Sequence, residues 1–252
     1  MSAGSATDAG SAVLLRLLDL FVPSLCLVCE APRRTAGGGG VCEICWDSLP
    51  RLPAETCCPH CALPNHGEPC RACRLEPPPV STAAAFASYE RGTVGLVGAY
   101  KFRGFDILAE PAGRRLAALA EERGLDDCDA LVPIPSTRRR NRERGYDPAV
   151  LLARAAARAL GLPLSRLLAR TRDTLPQSRL PAARRAANVR GAFAASARAA
   201  GRALLLVDDV VTTGATARAA AEALRRAGAK RVDLLAFART PEPDGFRGPE
   251  AE

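Results

Sequence analysis

Eight cysteines arranged as four C-x-x-C pairs constrain this chain more than any other feature of its sequence. The pairs are Cys26/Cys29, Cys42/Cys45, Cys58/Cys61 and Cys70/Cys73. A C-x-x-C turn directs two thiolates at one point, and two such turns complete the tetrahedron that zinc prefers in closed structural sites. The four pairs therefore predict a module with two zinc ions. Because four thiolates leave no open coordination position, we assign the metal a structural role and no catalytic one.

The spacing leaves the pairing of these turns open. The simplest arrangement is sequential, with the first two pairs around one ion and the last two around the other, but the spacing also permits an interleaved cross-brace. His60 and His66 are alternative ligands, and Cys57 is a spare thiol. A disulfide framework or a set of redox thiols is the competing interpretation of the module. Cys128 lies far from it and is interpreted as a packed thiol.

The N-terminal hydrophobic stretch, residues 13–22, is interrupted by Arg16 and Asp19. It is far shorter than the ~20 apolar residues that span a bilayer, and it lacks the uninterrupted apolar core of a secretory signal. Its apolar residues recur at helical spacing, which predicts an amphipathic helix within residues 1–25. We therefore expect a cytoplasmic protein without a membrane span. Thiols stay reduced in that compartment, which favours metal binding over disulfides.

The formal charge of +8 suits an anionic partner, such as a nucleic acid or a phosphorylated metabolite. However, Lys101 and Lys230 are the only lysines, and the other basic residues are arginines in a chain rich in Ala, Gly and Pro. A compositional bias therefore explains the charge as well as a dedicated basic surface does. The apolar fraction of 48% permits a sizeable core.

The composition divides the chain into four parts. After residues 1–25, the zinc module covers residues 26–76, and the prolines 77–79 form a stiff linker. A second domain covers residues 80–240, and residues 241–252 form a flexible tail. The module itself has too little apolar content for a core of its own, so metal binding supplies most of its folding free energy, about 10 kcal/mol per site.

Strand patterns alternate with helix patterns in the second domain. Asp147 followed by Pro148 predicts a helix start, and Gly161 predicts the end of that helix. Extended segments are predicted at residues 81–89, 129–135, 164–169, 191–195, 203–207 and 231–238, and further helices at 94–102, 107–123 and 216–227. The alternation predicts an α/β fold with a parallel sheet that is covered by helices on both faces.

The segment 204–216, LLLVDDVVTTGAT, carries the candidate site. Four apolar residues predict a buried strand, and Asp208 and Asp209 follow at its carboxyl end, where open α/β sheets bind their ligands. The turn that opens the next helix directs backbone N–H groups and hydroxyls at one point, which suits a phosphate dianion. The turn consists of Thr212, Thr213, Gly214, Ala215 and Thr216. A ribose 5-phosphate explains both halves of the segment, because the carboxylates accept hydrogen bonds from its 2- and 3-hydroxyls.

This segment resembles the motif with which type I phosphoribosyltransferases bind 5-phosphoribosyl 1-pyrophosphate (PRPP). The resemblance implies that Mg²⁺ is held chiefly by PRPP oxygens. It also implies that Asp208 and Asp209 lie at the ribose hydroxyls as the catalytic pair, and that pyrophosphate is displaced at an anomeric carbon. A Walker-type phosphate loop is excluded, because no Gly-Lys-Ser/Thr sequence is present.

A second loop, residues 135–146, follows the strand that ends in VPIP. In the family the loop at this position binds pyrophosphate, which implicates Ser136 and Arg144 as contacts. The other arginines of this loop, Arg138, Arg139, Arg140 and Arg142, are interpreted as a solvated basic face. The arginine-rich stretch 170–190 is a candidate lid that closes over PRPP and excludes water.

Over nearly its whole length the chain resembles the competence-associated ComF (ComFC-like) family. The resemblance rests on the cysteine pairs, the YKFRG of residues 100–104, the VPIP strand, the RGY of residues 144–146, Pro176-Gln177, the NVRGAF of residues 188–193 and VDDVVTTGAT. One departure is visible, because relatives usually carry Asn-Gln where this chain has Asp147-Pro148.

Three functional hypotheses remain at this point. The first is an enzyme that transfers phosphoribose from PRPP to an acceptor that the sequence does not identify. The second, implied by the family, is a protein that binds single-stranded DNA during DNA uptake, although aromatic stacking platforms are scarce in the second domain. The third makes the zinc module a docking surface for a partner such as a competence helicase.

Overall fold

The computed structural model describes residues 25–33, 40–172, 189 and 191–241. The strands are β1 (Ala83–Ser88), β2 (Ala130–Pro133), β3 (Leu168–Arg170), β4 (Phe193–Ala195), β5 (Ala203–Val211) and β6 (Arg231–Arg239). The α-helices of the described residues are α1 (Glu43–Asp47), α2 (Arg71–Leu75), α3 (Arg91–Phe102), α4 (Ala109–Glu122), α5 (Arg138–Arg144), α6 (Pro148–Leu160) and α7 (Ala215–Arg226). Short 3-10 turns lie at Ala54–Thr56, Asp106–Leu108 and Ala197–Ala199.

Four of the strands form one fully parallel sheet in the order β1-β6-β5-β2. The central strand β5 begins with continuous apolar residues, as expected for a strand that is buried on both faces. Alternate residues enter two separate hydrophobic clusters. Leu205 and Val207 pack on the side of α3, α4 and α6, whereas Leu204 and Leu206 pack on the side of α7 and the antiparallel pair β3-β4. The predicted α/β class is confirmed.

The boundaries of α6 follow from its capping residues. The Asp147 side chain accepts a hydrogen bond from the Ala149 N–H, Pro148 is the first helical residue, and Gly161 ends the helix with a φ of 68°. The helix packs closely on α4, because a Cβ atom placed on Gly113 would lie 2.3 Å from the Cβ of Ala155. The sequence predicted both ends of α6.

The zinc module shares the core of the sheet. Trp46 of α1 is 1% exposed, and its ring meets the edge of Phe237 of β6 with centroids 6.1 Å apart. Phe237 in turn stacks on Phe86 of β1 at 5.5 Å. The chain between the two cysteine groups also runs along the free edge of β1, where the Ser88 N–H donates to the Pro50 carbonyl at 2.7 Å. These contacts explain how a module with few apolar residues is packed, and they cover a sheet edge.

Two elements differ from the sequence-based expectation. Residues 138–144 form a helix and not a loop: the Thr137 Oγ1 accepts from the Arg140 N–H, and Gly145 ends the helix with a φ of 81°. Arginine is a good helix former, which the loop interpretation overlooked. Strand β5 continues to Val211, because its pairing with β6 holds the chain extended through the Val211 and Arg239 pair. The two acidic residues therefore lie within the strand.

Three predicted segments lie outside the described residues, namely the N-terminal helix, most of the candidate lid and all but the first residue of the tail. No helix in the described part of the chain is both long and apolar enough to cross a membrane.

Candidate functional site

The eight predicted cysteine ligands form two groups in sequential pairing. Cys26, Cys29, Cys42 and Cys45 form the first, and Cys58, Cys61, Cys70 and Cys73 form the second, with the Sγ atoms of each group within 4.8 Å of one another. The interleaved arrangement is not adopted. The cysteines are free thiols, and the His60 Nδ1 lies 2.9 Å from the Ser81 carbonyl oxygen and outside both groups.

In each group, backbone N–H groups donate hydrogen bonds to the sulfur of one cysteine. Backbone N–H groups of Val28 and Cys42 donate to the Cys26 Sγ at 3.4 Å, and the Cys70 N–H donates to the Cys58 Sγ at 3.3 Å. Such bonds stabilise thiolates. Burial opposes the ionisation of Cys26, but backbone donors outweigh it and lower its pKa to about 6. A hydrogen bond from Cys73 lowers the pKa of Cys61 to about 5, and the same bond raises the pKa of Cys73, while burial raises that of Cys45 in the first group. The residues therefore fit two structural zinc ions.

Asp208 and Asp209 lie near the carboxyl end of β5, where their environments differ. Successive residues of a strand point to opposite faces of a sheet. Asp209 is 8% exposed and borders a small apolar cavity with Trp46, Tyr100 and Phe237, on the face of α3. Asp208 retains partial exposure. Burial and the neighbouring charge of Asp209 raise the pKa of Asp208 well above its ordinary value, although Lys101 opposes this shift.

Lys101 is the residue of this site to which sequence reasoning gave no role. Its Nζ lies 2.7 Å from the Asp209 Oδ1, and both side chains are largely buried. The contact joins the end of α3 to the end of β5, segments that are far apart in the chain. A signal existed, because this is one of only two lysines and it stands in the YKFRG sequence. Lys101 compensates part of the negative charge of the acidic pair.

The turn after β5 presents unused backbone donors. Gly214 has a φ of 78° and stands at the start of α7. Among the described residues, no backbone hydrogen bond takes up the N–H of Thr212, Thr213 or Gly214. Thr213 is exposed, and its Oγ1 lies 3.5 Å from the Ala215 N. Free N–H groups near the first turn of a helix attract anions, and the phosphate cup at this turn stays a prediction.

The loop after β2 begins beside the residue that precedes the acidic pair of β5. The Ile134 N–H donates to the Val207 carbonyl at 3.0 Å, so β2 delivers Ser136 next to the end of β5. The Asp147 Oδ2 accepts from the Ser136 N–H at 3.0 Å and from the Asn141 Nδ2 at 2.9 Å. The departure from the family pattern at position 147 thus places a carboxylate acceptor in the loop. The charge of Asp147 is also one of the smaller causes of the raised pKa of Asp208.

Arg144, the last residue of α5, contacts Phe102 at the end of α3. Its guanidinium carbon lies 5.1 Å from the ring centroid of Phe102, which is 75% exposed. The Tyr100 hydroxyl donates to the Pro148 carbonyl at 2.7 Å, and the Tyr146 hydroxyl donates to the Tyr100 carbonyl. These contacts place the pyrophosphate-loop candidates Ser136 and Arg144 around the same end of the sheet as the acidic pair.

Two family models match the chain. The phosphoribosyl transferase domain matches residues 147–246, and the double zinc ribbon domain matches residues 17–74. One solved structure, that of the allosteric regulatory enzyme of purine biosynthesis, is 23% identical with a TM-score of 0.37. That match covers 51% of this chain and 26% of the other, so this chain spans about a quarter of that protein.

Relatives of known name match over most of their length. DNA utilization protein YhgH of Escherichia coli (strain K12) is 35% identical over 228 residues, which cover 88% of this chain and 99% of that protein. Competence protein F of Haemophilus influenzae is 26% identical over 224 residues, which cover 85% of this chain and 96% of that protein. The chain therefore belongs to the ComF family and combines a double zinc ribbon with a phosphoribosyltransferase-type domain.

Proposed function

We propose that this protein binds PRPP at the carboxyl end of β5 and transfers its phosphoribosyl group to an acceptor. The observation that carries the proposal is the turn that follows the acidic pair by two residues, in which the N–H groups of Thr212, Thr213 and Gly214 make no backbone hydrogen bond among the described residues. The turn takes the 5-phosphate and the carboxylates accept hydrogen bonds from the ribose hydroxyls. The turn, the two acidic residues and the match to the phosphoribosyl transferase domain support this assignment.

The proposed reaction is a substitution at the anomeric carbon. The bond from this carbon to the pyrophosphate oxygen breaks, a bond to a nucleophilic atom of the acceptor forms, and the acceptor loses a proton. Mg²⁺ bound to PRPP oxygens neutralises part of the pyrophosphate charge. In this proposal the protein supplies positioning and electrostatics: Ser136 and Arg144 contact the leaving group, while Asp208 and Asp209 orient the ribose.

The proposed PRPP binding is tested by calorimetric titration of the zinc-loaded protein with PRPP and Mg²⁺. We expect saturable binding that weakens at least about tenfold in Asp208→Asn, because a lost charged hydrogen bond costs about 1.5–3 kcal/mol. The matched control is Glu222→Gln, on the same strand-to-helix unit but in the later part of α7. Wild-type protein that shows no heat of binding at millimolar PRPP would contradict the proposal.

Transfer is tested separately by a screen for pyrophosphate release. Nucleobases, ammonia and DNA ends are offered as acceptors together with PRPP and Mg²⁺. We expect release that depends on one acceptor class and is lost in the Asp208→Asn/Asp209→Asn double variant. Binding without release for every acceptor leaves a PRPP-binding protein without transferase activity.

The second candidate function is binding of single-stranded DNA, and one surface favours it. Arg138, Arg139 and Arg142 of α5 are exposed, and this helix ends at Arg144 beside the exposed ring of Phe102. A basic helix next to an aromatic platform suits a strand whose phosphates and bases are both contacted. The names of the relatives, DNA utilization protein and competence protein, agree with a DNA-related role.

This second candidate is tested with two double variants that remove equal charge. Arg138→Gln/Arg142→Gln should weaken binding of a single-stranded oligonucleotide and reduce its salt dependence by about one unit of slope per lost phosphate contact. Arg114→Gln/Arg158→Gln, which alters exposed arginines of α4 and α6, is the control and should bind as wild type. Equal losses in both variants would indicate a diffuse charge effect and no DNA site on α5.

A further inference from the structure

Arg239, the last residue of β6, lies between the second zinc site and the proposed phosphate-binding turn of residues 212–216, here called the phosphate turn. It is 5% exposed, although arginine is among the residues that are almost never fully buried without partners. Its neighbours belong to segments that the sequence treats as separate units. They are the C-x-x-C turn of Cys58 and Cys61, which belongs to the second zinc site, and the end of β5, where the turn of residues 212–216 begins.

The guanidinium is held by backbone carbonyls. The Nε donates to the Cys61 carbonyl at 3.0 Å. The Nη1 donates to the carbonyls of Val211 at 3.4 Å and Thr240 at 2.6 Å, and it also contacts the Thr212 carbonyl. One side chain therefore joins a zinc-ligand residue to the first residue of the phosphate turn. The planar guanidinium presents its donors in a fixed geometry, so the carbonyls on its two sides cannot move independently.

The charge of the second zinc site reinforces this link. Four thiolates around Zn²⁺ carry a formal charge of −2, and the Arg239 cation is the buried basic group whose charge acts on Cys61. A zinc ion in the second site would hold Cys61 in place, and the hydrogen bonds of Arg239 would extend that constraint to the carbonyls of Val211 and Thr212. A turn that is ordered before a phosphate binds would lower the cost of ordering its N–H groups.

We propose that Arg239 couples zinc occupancy of the second site to PRPP binding, so that each ligand strengthens retention of the other. The inference rests on the proposed PRPP site. Coupling between two ligands is reciprocal and typically amounts to about 5–150-fold in affinity. Among the described residues, the first zinc site makes no hydrogen bond to the turn of residues 212–216: Arg115 of α4 lies over Trp46, and Trp46 packs on Phe237 and borders the cavity beside Asp209.

The first experiment uses the wild-type protein with two zinc ions bound. Zinc release into a colorimetric chelator is followed with and without saturating PRPP and Mg²⁺, and cysteine alkylation with peptide mapping identifies which group loses its ion. We expect PRPP to slow release from Cys58, Cys61, Cys70 and Cys73 at least about fivefold, and to leave release from the first group unchanged. Magnesium pyrophosphate at the same concentration controls for chelation by the ligand itself.

The second experiment uses Arg239→Lys, which keeps the charge but loses the planar set of donors. We expect full zinc content, at least about fivefold weaker PRPP binding by calorimetry and no protection of the second site by PRPP. Arg115→Lys is the matched control, because Arg115 of α4 contacts Glu43 and Trp46 beside the first zinc site and does not contact the phosphate turn. It should retain wild-type PRPP affinity.

The outcomes separate the two proposals. A wild-type protein that binds PRPP while its zinc release is unchanged, or an Arg239→Lys protein with full zinc and wild-type PRPP affinity, overturns the coupling and leaves the PRPP site intact. A wild-type protein that binds no PRPP overturns the proposed function, and the coupling with it. If Arg239→Lys does not fold, the zinc-release experiment on the wild-type protein decides alone.

Discussion

At the scale of single residues, Asp208 combines a functional position with an unfavourable charge. Burial and the nearby Asp209 raise its pKa in the folded protein. Between the unfolded value of about 4 and this raised value, the folded chain holds a proton that the unfolded chain has released. Ionised Asp208 therefore opposes folding above its folded pKa, and acidification through that pKa relieves the cost. A carboxyl group with a pKa raised in this way is common at functional sites, where a bound ligand supplies its hydrogen-bond partners.

Asp208→Asn should consequently stabilise the ligand-free protein at about pH 8 while it weakens PRPP binding. We expect about 1 kcal/mol, the size of a typical single-residue effect, and a difference from wild type that shrinks as the pH falls towards about 5. Thermal denaturation of both proteins across this pH range measures it. A melting temperature of the variant below that of wild type at pH 8 would show that the carboxylate is satisfied within the protein.

Lys101 gives the opposite prediction, because it compensates a buried charge. Lys101→Met leaves Asp209 without its partner at 2.7 Å and should destabilise the protein by about 1–3 kcal/mol. The Lys101→Met/Asp209→Asn double variant removes both charges and should recover most of that loss. Chemical denaturation measures the free energy of unfolding of the wild type, Lys101→Met, Asp209→Asn and the double variant, which together form a double-mutant cycle. Additive losses would mean that the ion pair contributes no stability.

Residue-level prediction from sequence succeeded where spacing along the chain carries the information. The eight thiol ligands are set by C-x-x-C turns, which are local, and the structure groups them as the simplest pairing requires. The contact between Lys101 and Asp209 depends on how α3 lies against β5. The hydrogen bond from Arg239 to the Cys61 carbonyl depends on how the Cys58/Cys61 turn lies against β6. Such contacts are created by tertiary packing and have no local pattern.

At the scale of elements, the sequence predicted best the elements with clear local signals, such as capping residues at the ends of a helix or an apolar run in a buried strand. Asp147, Pro148 and Gly161 determined α6, and the apolar run of β5 identified the central strand. The helix α5 was missed because its seven polar residues have no apolar stripe and cannot produce a helical pattern. The extension of β5 through the acidic pair was missed because pairing with β6, and not local propensity, keeps those residues extended.

The packing of α4 on α6 provides a test at this scale. A methyl group on Gly113 would meet the Ala155 Cβ at 2.3 Å and the Ala156 backbone N at 2.9 Å, so Gly113→Ala should force the helices apart and destabilise by about 1–3 kcal/mol. The control is Gly95→Ala in α3, where nothing lies within 4 Å and alanine should stabilise by about 0.5–1 kcal/mol. Urea denaturation distinguishes them by sign, and a stabilised Gly113→Ala would show that the helices lie further apart.

At the scale of the whole molecule, the zinc module and the sheet are joined at two separate places. The first group of cysteines is packed through Trp46 onto Phe237, and the second is joined through Arg239 to the end of β5. Sequence composition predicts a boundary at the prolines 77–79, but it did not predict these contacts, because a change in residue usage does not reveal which surfaces meet. The shared core follows from the module having too few apolar residues to bury a tryptophan by itself.

Zinc removal should therefore destabilise the whole chain and not the module alone. Each structural ion contributes about 10 kcal/mol or more to folding, which is comparable to the total stability of a domain. Trp46 is the only tryptophan, so its fluorescence reports directly on the interface with the sheet. We expect chelation to lower the melting temperature by about 10 °C or more, with tryptophan fluorescence and helical circular dichroism changing in one transition that added zinc reverses. Cys57→Ser/Cys128→Ala, which alters the thiols outside both groups, should still bind two zinc ions and melt as a single unit. If the helical signal instead melted at its original temperature after the tryptophan signal had been lost, the sheet would fold without the zinc module, and the Trp46 contact would add nothing to its stability.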